Sequence, residues 1–229
     1  MKPIRTFAAS LAILALAGTA TAQGRGRGGP RMSPEEAAKV WKLQASSVAA
    51  ALGLTDADAA TLAKAYETAR QAHGEATREA MSGGRGGDPM GRFEKIRELN
   101  EAYAANLTKA LDGQIDADSA EKAVASLVVF GRGSDRMTAA LAGLDLEDTA
   151  MNDALALVGT YAADTAKATE EAIESMDMSS MRSARQTLRT ALDDGMSNVL
   201  NEEQLATWKE KTQFRGRGGR GGRGGRGQN

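Results

Sequence analysis

The chain has 229 residues, a formal net charge of −1, no cysteine, one histidine and only 4% aromatic residues. Without cysteine there is no disulfide, thiolate metal site or cysteine nucleophile, and His73 alone excludes a multi-histidine metal centre. The near-zero charge hides a division: residues 33–214 hold 19 Lys+Arg against 30 Asp+Glu, a balance of −11, whereas segments 23–32 and 215–229 hold eight arginines and no acid. The chain therefore reads as an acidic body with two cationic arms, which suit an anionic partner or a weak contact with the body itself.

Residues 1–22 have a basic start (Lys2, Arg5), an apolar run from Phe7 to Ala17, and the small residues Ala20-Thr21-Ala22 before Gln23. The run is too short to span a bilayer, and the layout is that of a cleaved signal peptide. The expectation is an exported mature chain with no transmembrane span, working where ATP is scarce. The arm at residues 23–32, rich in arginine and glycine, has too little apolar surface to offset its ordering entropy and is expected to be disordered.

Ser33-Pro34-Glu35-Glu36 marks a helix start, with Ser33 as N-cap, Pro34 in the first turn and Glu36 closing a capping box. That helix carries Val40, Trp41, Leu43, Val48 and Leu52 and stops at Gly53. Thr55 caps a second helix to about Met81, with Leu62, Tyr66, Ala69, Ala72, His73 and Ala76 near helical spacing. After a glycine-rich loop, a third helix from about Met90 to Leu111 aligns Phe93, Ile96, Leu99, Tyr103 and Leu107. A fourth is expected over Asp116–Phe130, with Gly131–Asp135 as a break and a short helix over Met137–Leu144. A long helix from about Leu146 to Met176 bears Met151, Leu155, Val158 and Tyr161. Ser179 opens the next, with Leu188, Leu192, Met196 and Leu200, and Asn201 to Gln204 caps a last one holding Leu205 and Trp208.

No segment has convincing strand character, so the expected fold is all-α, of antiparallel helical hairpins or a bundle, alanine-rich and closely packed. Residues 33–131 and 132–214 share a layout of capped long helix, break and second long helix, offset by about ninety residues. Their identity is poor, so a duplication and two similar hairpins both remain open. The RGG tail at 215–229 is expected to be disordered.

The stretch Leu200-Asn201-Glu202-Glu203-Gln204, followed by Leu205-Ala-Thr-Trp208, resembles the Leu-Thr-x-x-Gln element (LTxxQ motif) of the Spy/CpxP family of periplasmic chaperones, and Leu54-Thr55-Asp56-Ala57-Asp58 is similar to the same element. Asn201 stands where the family has Thr, and Asp58 where it has Gln. The resemblance implies a Gram-negative periplasm, a stress response, helical hairpins, ATP-independent binding of unfolding clients and a homodimer. Read physically, the motif is structural: the leucine plugs the bundle at a turn, Thr or Asn caps the next helix, and the Gln or acid in the first turn satisfies free backbone donors.

Several residues invite chemistry. The tail arginines Arg215, Arg217, Arg220, Arg223 and Arg226 offer planar donor forks for phosphate or carboxylate, though no aromatic lies among them to stack on bases. Met176, Met178 and Met181 form a soft, adaptable cluster suited to apolar clients or copper(I), and ordinary gap filling accounts for it equally well. His73 lies near Glu75 and Glu79, and Asp193-Asp194 and Glu202-Glu203 are acidic pairs of the kind found at solvated helix ends. No catalytic constellation emerges, and nothing calls for a cofactor. The expected function is a non-enzymatic, client-binding chaperone of the exported compartment. The alternatives are an envelope-stress regulator or metal sensor, and a polyanion binder acting on nucleic acid or lipid phosphate through the arms.

Overall fold

The computed structural model describes residues 32–82, 89–175 and 177–212, and these form eight α-helices with no strand. The signal-like segment, the first arm and the arginine tail lie outside the described residues. In chain order the helices are α1 (Pro34–Ala51), α2 (Asp56–Ser82), α3 (Pro89–Leu111), α4 (Ala117–Leu127), α5 (Arg132–Ala142), α6 (Asp148–Glu174), α7 (Met178–Val199) and α8 (Glu202–Thr212). None of the described helices is long and apolar enough to cross a membrane.

Local chemistry sets the helix ends. Ser33 and Glu36 exchange backbone-to-side-chain bonds of 2.8 and 3.2 Å, a closed capping box at the start of α1. The same helix ends in a Schellman turn: Leu54 N–H reaches Ala49 O at 3.0 Å and Gly53 N–H reaches Ala50 O at 3.1 Å. Gly53 takes φ +63°, a left-handed conformation that glycine adopts without the Cβ penalty. Asp116 caps α4 through Ser119 N–H, and Asp177 caps α7 through the N–H groups of Ser179 and Ser180.

The largest departure from the sequence pattern is α5. Gly131–Asp135 reads as a break, yet the helix begins at Arg132. Gly131 serves as the extended N-cap, and Ser134 turns back on it, accepting from Gly131 N–H at 2.7 Å and donating to Gly131 O at 2.9 Å. A glycine-containing run that looks like a helix breaker is here the first turn of a helix. Asp135 gains from this placement, because a carboxylate in the first turns of a helix faces its positive end.

Helices α1 and α5 sit in the middle, with α1 touching α2, α4, α5 and α6, and α5 touching α6 and α8. Two long antiparallel hairpins, α2/α3 and α6/α7, flank them. One core spans residues from both 33–131 and 132–214, from Leu62, Tyr66 and Leu107 to Leu141, Leu155, Met196 and Trp208. Small residues let the helices approach: Ala45, Ala123 and Ala154 are fully buried. In the α2/α3 hairpin the fully buried side chains stop at Arg70 on α2 and at Tyr103 on α3, and the turns beyond are half-buried or exposed where described.

Trp208 closes the α8 end of the core with no exposed surface, and the Arg189 guanidinium lies 4.8 Å from its ring centroid while bonding Thr212 Oγ1 at 2.8 Å and Asp193 at 3.0 Å. Truncation there removes one of the largest buried side chains and the platform for Arg189. Trp208→Ala is expected to lower unfolding free energy by about 3–5 kcal/mol, read from urea denaturation followed by far-UV circular dichroism.

Candidate functional site

The most chemically distinctive place in the fold is polar. On α2, Tyr66 and Arg70 are one turn apart and both buried, on the stripe that begins at Leu62. Arg70 pairs with Asp135 of α5 and donates to the Phe130 carbonyl at 2.6 Å, at the turn between α4 and α5. Gln44 of α1 completes the group: its amide donates to Asp135 Oδ1 at 3.2 Å and Thr138 Oγ1 at 3.1 Å, and its carbonyl accepts from the Tyr66 hydroxyl at 2.8 Å. The Arg70 guanidinium also lies 5.5 Å from the Trp41 ring and 5.9 Å from the Tyr66 ring. One arginine thus ties α2 to α1, α5 and the α4–α5 turn.

Burial sets the electrostatics. It raises the Asp135 carboxyl from its usual value, with Arg70, Gln44 and Trp41 pulling the other way. It pushes the Tyr103 phenol up to about 12 and Tyr66 well above its usual value, with Arg70 opposing both shifts. Both phenols stay protonated, and Tyr66 donates to Gln44.

Beside this network a cavity of about 230 Å³ opens between α2, α3, the α4–α5 turn and α6. Its polar lining is Arg70, His73, Thr77, Asn100, Tyr103 and Arg132. His73 stacks on Tyr103 with ring centroids 4.9 Å apart, and its Nε2 lies 3.1 Å from Asn100 Oδ1. Burial lowers the His73 pKa from its usual value, Arg70 and Arg132 add to the shift, and the Asn100 bond opposes it. Arg70 Nε, Thr77 Oγ1 and the Tyr103 hydroxyl are buried without a hydrogen-bond partner among the described residues.

A second, larger recess of about 760 Å³ lies between α3 and α4. Ala105, Ala117 and Val124 make its surface apolar over the buried Leu111, Ile115 and Ala120, and Lys109, Asp112 and Glu121 put both signs of charge in its lining.

The residues singled out in the sequence fall in different places. Leu54 is half-buried against the core, and Thr55 Oγ1 accepts from Asp58 N–H at 3.2 Å and donates to the Asp58 carboxylate at 2.8 Å. Leu200 is buried, and Asn201 and Gln204 cap α8 reciprocally, at 3.1 Å to the Asn201 N–H and 2.9 Å to the Gln204 N–H. These two motif copies sit at helix junctions and line neither recess. Met176 lies outside the described residues, Met178 begins α7, and Met181 is half-buried one turn later. Arg215, Arg217, Arg220, Arg223 and Arg226 lie outside the described residues. Asp193 is paired with Arg189, whereas Glu75, Glu79, Asp194, Glu202 and Glu203 are exposed.

Sequence reasoning missed Gln44, Arg70, Asp135 and Thr138 altogether. One signal was present: Arg70 stands four residues after Tyr66 and eight after Leu62, an arginine on an otherwise apolar helix stripe. No family model, no curated protein and no solved structure matches this chain.

Removing one member of a buried ion pair strands the other. Arg70→Ala is expected to cost about 3–5 kcal/mol of stability, and the double change Arg70→Met/Asp135→Leu to recover most of it, measured by urea denaturation. The lowered His73 pKa carries a pH dependence of definite sign. The unfolded chain binds the imidazole proton more readily than the folded one, so stability is full above the usual value of 6.5 and declines as pH falls below it. The urea midpoint is expected to drop between about pH 7.5 and 5.5, and to drop less in His73→Gln.

Proposed function

We propose that the mature chain is an exported, non-enzymatic protein that holds unfolding clients without ATP, in the manner of the Spy/CpxP family it resembles. The observation that carries this reading is the open apolar recess between α3 and α4. Ala105 and Ala117 are exposed and leave a shallow surface, half-buried Val124 adds apolar contact above the buried Leu111 and Ile115, and the charged members are of mixed sign. Such a surface favours weak, varied contacts with apolar segments over selection of one partner. The helical hairpins, the signal-like start and the motif copies at Leu54 and Leu200 support the same reading. In this account the arginine tail widens capture of acidic clients or tethers the protein to an anionic surface, and the mature protein resides in the periplasm.

The test is light scattering of a chemically denatured client diluted into buffer without nucleotide, with residues 23–214 present or absent. Suppressed aggregation is expected. Ala105→Glu, an exposed position in the recess lining, is expected to remove most of the suppression while leaving the circular dichroism spectrum unchanged. Absence of suppression by both the shortened and the full mature chain would sink the reading. Suppression that needs residues 215–229 and fades with salt would instead favour a polyanion binder.

A further inference from the structure

The acidic balance of the body is not spread evenly over its surface. From Met178 to Leu192, α7 carries Arg182, Arg185 and Arg189 and no acid. The helix packs on α6 through Met181, Ala184, Leu188 and Leu192, which are half-buried or buried. The arginines stand at i, i+3 and i+7, so they form one stripe along the flank of that contact. Seven residues at the helical rise make the stripe about 10 Å long.

The stripe has a fixed end and an open part. Arg189 is held, since it bonds Asp193 and Thr212 and covers the Trp208 ring. Arg182 and Arg185 are exposed, and neither makes an ion pair among the described residues. Arg185 reaches only Thr169 of α6, at 3.5 Å. The acids of α6 do not answer these two charges: Glu171 faces Lys167 at 4.0 Å, and Glu170 and Glu174 stand more than a quarter-turn of α6 away from Thr169. Thr212 ends α8, so its bond to Arg189 sets the root of the RGG tail at one end of the stripe, three residues before Arg215.

The form of the stripe selects the partner. Neither α7 nor the tail contains an aromatic residue, so neither offers a platform on which bases could stack. Arg182 and Arg185 line neither recess, so nothing encloses a single small anion. Ser183, Gln186, Thr187 and Thr190, exposed among the arginines, supply no apolar wedge to enter hydrocarbon. An open line of planar donor forks matches phosphates repeated across a plane. The balance of −11 on residues 33–214 works against approach in any other orientation.

We propose that the arginine flank of α7, through Arg182 and Arg185, is the docking face for an anionic lipid surface, with lipid phosphates accepting from both guanidinium groups while the tail meets the same plane. This rests on the tethering role given to the tail above, and gives that role a structured half on the body.

The full mature chain, residues 23–229, is sedimented with vesicles of equal parts phosphatidylglycerol and phosphatidylcholine, and with pure phosphatidylcholine vesicles as the neutral counterpart. The expected result is saturable binding to the first, none to the second, and a fall as salt rises. Arg182→Gln/Arg185→Gln is expected to weaken binding about tenfold. Lys39→Gln/Lys42→Gln removes the same charge from exposed positions of α1, and is expected to weaken binding less than about twofold. Circular dichroism is expected to match in all three chains. Equal loss in the two double variants would reduce the effect to net charge and overturn the proposal. Undiminished binding by the α7 variant, equal binding to both vesicle types, or binding to neither would overturn it too. A single-stranded oligonucleotide tests the other polyanion: an α7 variant that loses oligonucleotide affinity and keeps vesicle affinity assigns the face to nucleic acid, and the proposal falls. No client enters these measurements, so the chaperone reading can fail by light scattering while the lipid face holds, and the reverse.

Discussion

The middle of this fold depends on one buried ion pair, Arg70 with Asp135, and on the groups that make it tolerable. An ion pair taken out of water loses hydration that its own attraction rarely repays in full. Here the shortfall is spread over neighbours: Gln44 bonds Asp135, the Phe130 carbonyl takes one guanidinium nitrogen, and the rings of Trp41 and Tyr66 cover the cation. The cover is not complete, since Arg70 Nε is left over. The pair joins α2 to α5 across the centre, and Gln44 draws in α1. Stability alone does not require such a group, because apolar residues of similar size would pack as well. Its geometry specifies which helix faces which, and in an alanine-rich core with few shape-defining side chains that discrimination matters more than usual.

The helices and their caps were legible because they are written locally. Ser33 with Glu36, Thr55 with Asp58, and Asn201 with Gln204 each lie three residues apart, and the bonds they make involve no other element. The long stripes of α2, α3 and α6 follow the same logic of spacing. The start of α5 was misread because Gly131 and Gly133 weigh against a helix on propensity, while the reciprocal bonds of Ser134 and the docking of Asp135 outweigh them. The polar centre was illegible for another reason. Gln44 and Asp135 are 91 residues apart, and Arg70 and Asp135 are 65 apart. No periodicity in one sequence states which of many glutamines or aspartates meets a given arginine.

The motif copies make the same distinction from the other side. They were the most recognisable residues in the sequence, and they sit at turns, capping helices and plugging the bundle. What can be seen in a short motif is the part of a fold that repeats, namely a helix start. What gives a surface its selectivity is set by side chains brought in from several helices, as in the cavity, where α2, α3, the α4–α5 turn and α6 each contribute. Resemblance therefore speaks first to architecture, and function has to be argued from the recesses.

The two recesses divide the demands made of one small helical body. The one between α3 and α4 is broad, apolar and open, and its small residues present little shape for a ligand to match. On the proposed reading, contacts there would draw mainly on apolar area and stay weak and general. The one beside Arg70 is about a third of the volume and carries donors held in place by helices that the ion pair has already fixed. Its lining is fixed, since Tyr103 is pinned by His73 and Arg70 by four separate contacts. Both recesses share α3, with Tyr103 lining one and Ala105 lining the other.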